Sequence, residues 1–317
     1  MSELSISSDG RDEPAVFRDK VAAGEAGGAD TIWIANHLFL RDPAVLGALT
    51  LSETRRLKVA LMAVSPLTQH PVQIAMATAT LAERFPGRLK LCLGVGAPAD
   101  LAAIGVDGAK PLRAMREALL LVRALLSGET VTFQGETFRV DRRRLAAAGA
   151  EIPIVLAASG PQMLELAGAE ADGVLISAGA SVPFVAQTLQ SVARGAKGRK
   201  VKTSGLVYAS VDDDERRAND RLRRILAILL RGSHHKTNLG LAGTTLDQQG
   251  LNDAVLAEDW SRAEAMIGDD IVARHAASGT PEQLRRRLAE YHASGLDEIV
   301  IAGVRDDAQI KAILTSS

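Results

Sequence analysis

Aromatic side chains are scarce in this chain, at 3% of 317 residues. The interior must therefore be filled by Ala, Leu and Val, and hydrophobic residues at 47% supply enough for a large core. There is one cysteine, Cys92. A single thiol excludes an intramolecular disulfide framework and a zinc cluster, and it fits a reducing compartment. No charge of one sign prevails, since 37 Lys and Arg stand against 38 Asp and Glu for a formal net charge of −1. That balance argues against a nucleic-acid partner. The runs Arg142-Arg143-Arg144 and Arg285-Arg286-Arg287 read as solvated faces. No apolar run approaches the roughly 20 residues of a membrane span, so no membrane partner is expected. The opening MSELSISSDGRDEP has no basic start followed by an apolar core. It reads as the start of a cytoplasmic protein without a signal peptide.

What the chain does have is a repeated βα rhythm. In residues 153–179, Ile154 and Val155 lead into the small turn Ala157-Ala158-Ser159-Gly160, and Pro161 opens a helix where its missing N–H costs nothing. That helix ends near Gly168, and a second apolar run, Gly173–Ser177, completes a βαβ unit whose helix N-terminus is a ready anion site. Eight strand candidates follow the same logic: Leu4–Ser8, Thr31–Ala35, Lys58–Val64, Arg88–Val95, Pro153–Ala158, Gly173–Ser177, Lys202–Val211 and Glu298–Ala302. Helical patterns alternate with them at Pro14–Ala26, Ala44–Leu51, His70–Phe85, Leu112–Ser127, Pro161–Ala169, Pro183–Ala193, Asp213–Leu230 and Pro281–Ala293, and Asp307–Leu314 closes the chain. Eight βα pairs in this length predict an α/β (β/α)8 TIM barrel in one domain over residues 1–317. A doubly wound sheet is the alternative, but the glycine fingerprint after its first strand is missing.

Two stretches exceed a minimal barrel. Residues 131–140, VTFQGETFRV, read as a hairpin turning at Gln134-Gly135. Residues 231–277 are an insertion before the last strand, rich in Gly and Asp, with a helix expected near Leu251–Met266. An insertion of that length suits a lid or an interface. Thr280-Pro281-Glu282-Gln283 then restarts the regular pattern with a capping box.

Chemistry in such a barrel collects where strands end. Those ends read Trp33-Ile34-Ala35-Asn36-His37, Met62-Ala63-Val64-Ser65-Pro66, Leu93-Gly94-Val95-Gly96-Ala97, Ala157-Ala158-Ser159-Gly160 and Ser177-Ala178-Gly179. Small residues dominate and titratable ones are nearly absent. Neither paired carboxylates nor a nucleophile–base pair is visible. A mouth lined by Ala, Gly and Ser lets a large flat ligand lie against backbone, and so points to a cofactor that brings its own chemistry. His234-His235 has no Cys or carboxylate at ligand spacing nearby, so no metal is expected. Cys92 alternates with Leu91 and Leu93, which puts it inside the barrel as packing. Trp33 reads as core, and His70 before Pro71 reads as a helix cap.

Four segments, Ala29–His37, Lys58–Gly96, Pro153–Ser177 and Ser278–Ile301, carry a family resemblance. They include ADTIWIANH, PLTQHPVQIAMATATLAERFPGRLKLCLGVG and PIVLAASGPQMLELAGAEADGV. The chain resembles the bacterial luciferase-like monooxygenase superfamily of flavin- and coenzyme F420-dependent oxidoreductases, in particular its methylenetetrahydromethanopterin reductase-like branch. That resemblance implies a (β/α)8 barrel, a flavin-type cofactor (coenzyme F420 or FMN) at the strand C-termini, a small-molecule substrate and often a homodimer. Carried over by position, it places His37 at the reacting edge of the ring as the catalytic residue, with Asn36 where many relatives have Asp. It implies a non-proline cis peptide at Ala63-Val64, and Ser65, Gly94, Gly96 and Ala97 along the ring face. Ala157, Ala158, Ser159, Gly160 and Pro161, with Ser177, Ala178 and Gly179, would hold the ribityl-phosphate side. Ser7-Ser8-Asp9-Gly10 departs from the usual first strand end; Asp9 either meets substrate or caps a helix. The one aromatic after His37 is Phe39, at the ring or in the core.

Three functions follow from the resemblance. The first is hydride transfer between the deazaflavin coenzyme F420 and a small organic substrate. The second is an FMN-dependent monooxygenase, and the third a non-catalytic flavin-binding barrel. The spacing favours the first.

Overall fold

The computed structural model describes residues 3–147, 149–177 and 179–315. The strands in chain order are β1 (Glu3–Ser8), β2 (Thr31–Ala35), β3 (Lys58–Val64), β4 (Leu89–Leu93), β5 (Val131–Gln134), β6 (Arg139–Arg143), β7 (Ile154–Ala158), β8 (Gly173–Ile176), β9 (Lys202–Val211), β10 (Ala277–Gly279) and β11 (Glu298–Ala302). Eight of them, β1-β2-β3-β4-β7-β8-β9-β11, close into one all-parallel ring through the β8–β9 and β11–β1 pairings, and β10 adds to the overhang of β9. The (β/α)8 barrel expected from the sequence is the fold observed.

The helices are α1 (Pro14–Gly27), α2 (Pro43–Glu53), α3 (Pro71–Arg84), α4 (Pro98–Ala103), α5 (Pro111–Leu126), α6 (Pro161–Glu170), α7 (Val182–Ala196), α8 (Glu215–Leu230), α9 (Lys236–Ala242), α10 (Gln248–Leu256), α11 (Trp260–Ala265), α12 (Asp269–His275), α13 (Pro281–Ala293) and α14 (Asp307–Thr315). Eight of them carry a proline in the first two positions, where ring and missing N–H are harmless. The Thr280–Gln283 capping box forms as expected.

Alternation along each strand sorts the side chains. Ile32, Ile34, Val59, Leu61, Leu91, Leu93 and Leu156 face the helices. Trp33, Ala35, Ala60, Met62, Cys92, Val155, Leu175 and Val300 fill the barrel. Burial on both faces explains why these strands are apolar throughout. Cys92 is inside, as its alternation with the two leucines requires, and burial pushes its thiol pKa up.

The base of the barrel is polar. Glu298 is fully buried and accepts from Ser5 Oγ at 2.5 Å, Trp33 Nε1 at 2.9 Å and Ser204 Oγ at 2.9 Å. Lys90 Nζ lies 3.3 Å from both Glu298 and Asp30, and Lys58 pairs with Asp30 at 2.7 Å. Burial alone would raise the Glu298 pKa, yet Lys90 and the three donors hold it lowered. Glu3, Asp30 and Glu298 bring carboxylate oxygens within 4.8 Å of one another, and Lys58, Lys90 and Lys202 already neutralise them. A buried carboxylate is tolerable only when paired and hydrogen-bonded in this way.

Two boundaries differ from the sequence reading. The hairpin runs to Arg143 and turns later, at Glu136-Thr137, because the Glu117 carboxylate accepts from the amides of Glu136, Thr137 and Phe138. The helix expected near Leu251–Met266 is two helices, α10 and α11. The chain breaks at Glu258, which takes a left-handed φ of 54°, and Asp259 then caps α11. The whole 231–277 excursion packs against α8 around a core of its own, including Leu222, Leu226, Leu230, Leu251 and Ile267, each at most 2% exposed. Truncating any one of them to Ala would cost about 2–5 kcal/mol.

Candidate active site

The site grows out of the strand ends, because inward-facing positions continue past each strand into its loop. On β1 these positions are Ser5, Ser7 and then Asp9. Asp9 Oδ1 accepts from the Arg11 amide at 3.0 Å and Oδ2 pairs with Arg11 Nη1 at 3.0 Å. Asp9 caps no helix, since Glu13 occupies the N-cap of α1; the capping alternative is corrected. Burial opposes ionisation of Asp9, but the bonds from Arg11 outweigh it and leave the pKa lowered. On β2, His37 follows Trp33 and Ala35 and is exposed at the mouth. Desolvation and then the Arg11 charge lower its pKa, against the opposing pull of Asp9 and Asp100. The imidazole is therefore neutral at neutral pH.

The sequence reading overlooked Arg11, Asp100 and Tyr208. Asp100 sits in the first turn of α4, a helix too short to show periodicity. Tyr208 continues the inward series Ser204, Leu206 on β9. Burial first, and then the Asp9 charge, push its phenol up to about 12, so it stays protonated beside the Asp9–Arg11 pair. Counting in twos along β9 would have found it.

Opposite this charged edge the floor is made of small residues. A Cβ added at Gly94 would lie 2.7 Å from Ala63 Cβ and 3.5 Å from Ala157 Cβ, so β3, β4 and β7 approach as only glycine allows. Gly96 is held by its backbone instead, at φ +96°, and a Cβ there would meet Ser65 at an ordinary 3.6 Å. Gly96 and Ala97 are exposed at the rim. Asn36 is half-buried, and its backbone N–H donates to Met62 O. Further round, Ser159, Gly160 and Pro161 are exposed at the start of α6, whose N-cap Gly160 offers no side-chain acceptor. The first-turn amides are left open to an anion. Ser177 is exposed beside them, and Gly179 turns the chain at φ +74°.

Several expected site residues need correction. The non-proline cis bond is at Met62-Ala63, one residue before the expected Ala63-Val64. The pairing of β3 with β4 slips between Leu61 and Val64, and the resemblance located that irregular segment without resolving the bond. Val64 and Ala158 each follow an inward neighbour, so their side chains face the helices. The Ser65 hydroxyl is engaged, donating to Val95 O at 2.6 Å. Phe39 is 78% exposed rather than core. His70 caps α3 as expected, accepting from Val72 N at 3.2 Å. Ala178 lies outside the described residues.

A family model described as luciferase-like monooxygenase matches residues 4–298. The chain belongs to that family. Among curated members, the 5,10-methylenetetrahydromethanopterin reductase of Archaeoglobus fulgidus is 31% identical over 88% of this chain and 87% of its own length. The F420-dependent glucose-6-phosphate dehydrogenase of Nakamurella multipartita is 29% identical over 90% of this chain and 88% of its own. Among solved luciferase-like structures, the coenzyme F420 dependent tetrahydromethanopterin reductase of Methanopyrus kandleri superposes with a TM-score of 0.91, at 23% identity, over 100% of this chain and 97% of that one. The excursion at 231–277 thus lies within the matched length of this luciferase-like fold.

Proposed function

We propose that this protein is an oxidoreductase that moves hydride between coenzyme F420 and a small organic substrate. The observation that carries the reading is the division of the mouth into two halves. One half is a floor of Ala63, Gly94 and Ala157 that a single added Cβ would fill. The other holds a neutral imidazole, His37, beside the Asp9–Arg11 pair. The residues present fit a flat deazaflavin: the small-residue floor would take the ring, and the open start of α6 with Ser159, Gly160, Pro161, Ser177 and Gly179 would hold its phosphate. When bound, the coenzyme supplies the two-electron carrier that no side chain of this chain can provide. His37, being neutral, takes the proton of a substrate hydroxyl in the oxidising direction and returns it in the reducing one. Asp9, fixed as a carboxylate by Arg11, and Tyr208, fixed as a phenol, orient the substrate. The relatives' F420-dependent activities support the reading.

The family model's description favours a second reading, an FMN-dependent monooxygenase. Both are tested by titrating the purified protein with coenzyme F420 and with FMN and following absorbance and fluorescence. Tight binding of the deazaflavin with weak binding of FMN is the expected result, and the reverse would replace the first reading by the second. We also propose a homodimer. Helices α2 and α3 are packed neighbours that leave Val45, Leu49 and Met76 more than half exposed, an apolar patch suited to a second copy. No described helix is long and apolar enough to cross a membrane. The cytoplasm completes the proposal, supported by the lone buried thiol of Cys92.

A further inference from the structure

The turn after β8 is held by side chains from outside the barrel. Asn238, on α9 and 1% exposed, accepts from the Ser181 amide through Oδ1 at 2.9 Å and donates from Nδ2 to Gly179 O at 2.7 Å. Its orientation is fixed, because Oδ1 faces an N–H and Nδ2 faces a carbonyl. His275, the last residue of α12, lies with Nδ1 3.0 Å from the same Gly179 oxygen and Nε2 2.9 Å from Thr244 Oγ1. His235 Nδ1 is 3.3 Å from Asn238 Nδ2, and Tyr291 donates to Ala180 O at 2.9 Å. Asn238 thus grips both ends of Gly179–Ser181, and Gly179 O is met from the excursion by both Asn238 and His275.

We propose that Asn238 is a positioning residue that sets the backbone of Gly179–Ser181 to receive the phosphate end of the cofactor. The 231–277 excursion then serves the site as a fixed brace. This rests on the deazaflavin reading above. Asn238 touches no ligand itself; it acts by fixing where the backbone of the turn stands. A neutral amide is the one side chain of this size that satisfies a donor and an acceptor at once, so neither Asp nor Leu replaces it. The orphaned carbonyl and amide left by truncation would find partners only if the turn moved.

The test uses two probes, coenzyme F420 and the corresponding deazaflavin nucleoside without phosphate, titrated by fluorescence against wild type, Asn238→Ala and Asn238→Asp. The Ala and Asp variants are expected to lose affinity for coenzyme F420 by about tenfold or more, and for the nucleoside by less than about threefold. His37→Ala should retain the wild-type ratio of the two affinities. Should Asn238→Ala not fold, His275→Gln removes one of the two bonds to Gly179 O more gently and is read in the same way. Equal losses for both probes would mean general destabilisation and overturn the proposal, as would unchanged affinity for both. A wild type that binds neither probe refutes the deazaflavin reading itself. One that binds both alike refutes the phosphate assignment, and in either case the role of Asn238 falls with it.

Discussion

Acidification from pH 7 to pH 5 should weaken the packing of the excursion before any carboxylate network fails. His235 and His275 are 7% and 1% exposed. Burial lowers both from an ordinary value of 6.5 to about 4, helped for His235 by the nearby His234 and His275 and for His275 by Arg287 and Arg274 against a raising bond to Gly179. The folded pKa lies below the unfolded one, so the unfolded chain binds the extra proton. Stability is therefore complete above about pH 6.5 and falls as the pH drops towards 4. At pH 5 the unfolded imidazole is almost wholly protonated and the folded one mostly neutral, a cost of about 2 kcal/mol for each histidine. For a chain of this length that is about 3 °C of melting temperature per histidine. Asp30, at about 2, stays ionised throughout this window. Scanning calorimetry at pH 7, 6 and 5 and constant ionic strength measures the effect in wild type and in the His235→Gln/His275→Gln double variant. The wild type should lose several degrees and the double variant much less. A wild-type midpoint that is flat to pH 5, or a double variant with the same slope, would refute the reasoning.

Replacing His37 with Ala should slow turnover about 10²-fold or more while changing cofactor affinity little, and single-turnover oxidation of substrate reads both; equal rates would make His37 structural. In the oxidising direction kcat/KM should decline on the acid side of 6.5, where the imidazole protonates, and a profile flat through that region speaks against His37 as base. Gly94→Ala puts a methyl 2.7 Å from Ala63 Cβ and should cost about 1–3 kcal/mol in denaturant melts while abolishing cofactor binding; wild-type affinity would dismiss the floor as the ring site. If the proposed homodimer forms through α2, Leu49→Glu at its exposed face should leave a monomer in sedimentation velocity where the wild type is a dimer, and an unchanged mass would reject that interface.

The barrel was legible because each strand is a short apolar run between turn signals. Lys202–Val211 and Glu298–Ala302 match the observed strands residue for residue. Helix α4 was missed because six residues make less than two turns, too few for an apolar period to repeat. Of the candidate site, the small residues could be named from the strand ends and His37 from the resemblance. The alternation that puts Cys92 inside the barrel also turns Val64 and Ala158 outward and Tyr208 inward, and the strand-end reading did not carry it that far. Contacts such as Asn238 to Gly179, 59 residues apart, and His275 to Gly179, 96 apart, leave no local trace and emerge only on folding.

The buried Glu298–Lys90–Trp33 plug makes the barrel a vessel with a single opening. On the proposed reading, cofactor and substrate therefore both pass by the mouth, where His37 and the Asp9–Arg11 pair stand. The route to the site is thereby set at the far end of the barrel, more than about 10 Å of strand away from the mouth.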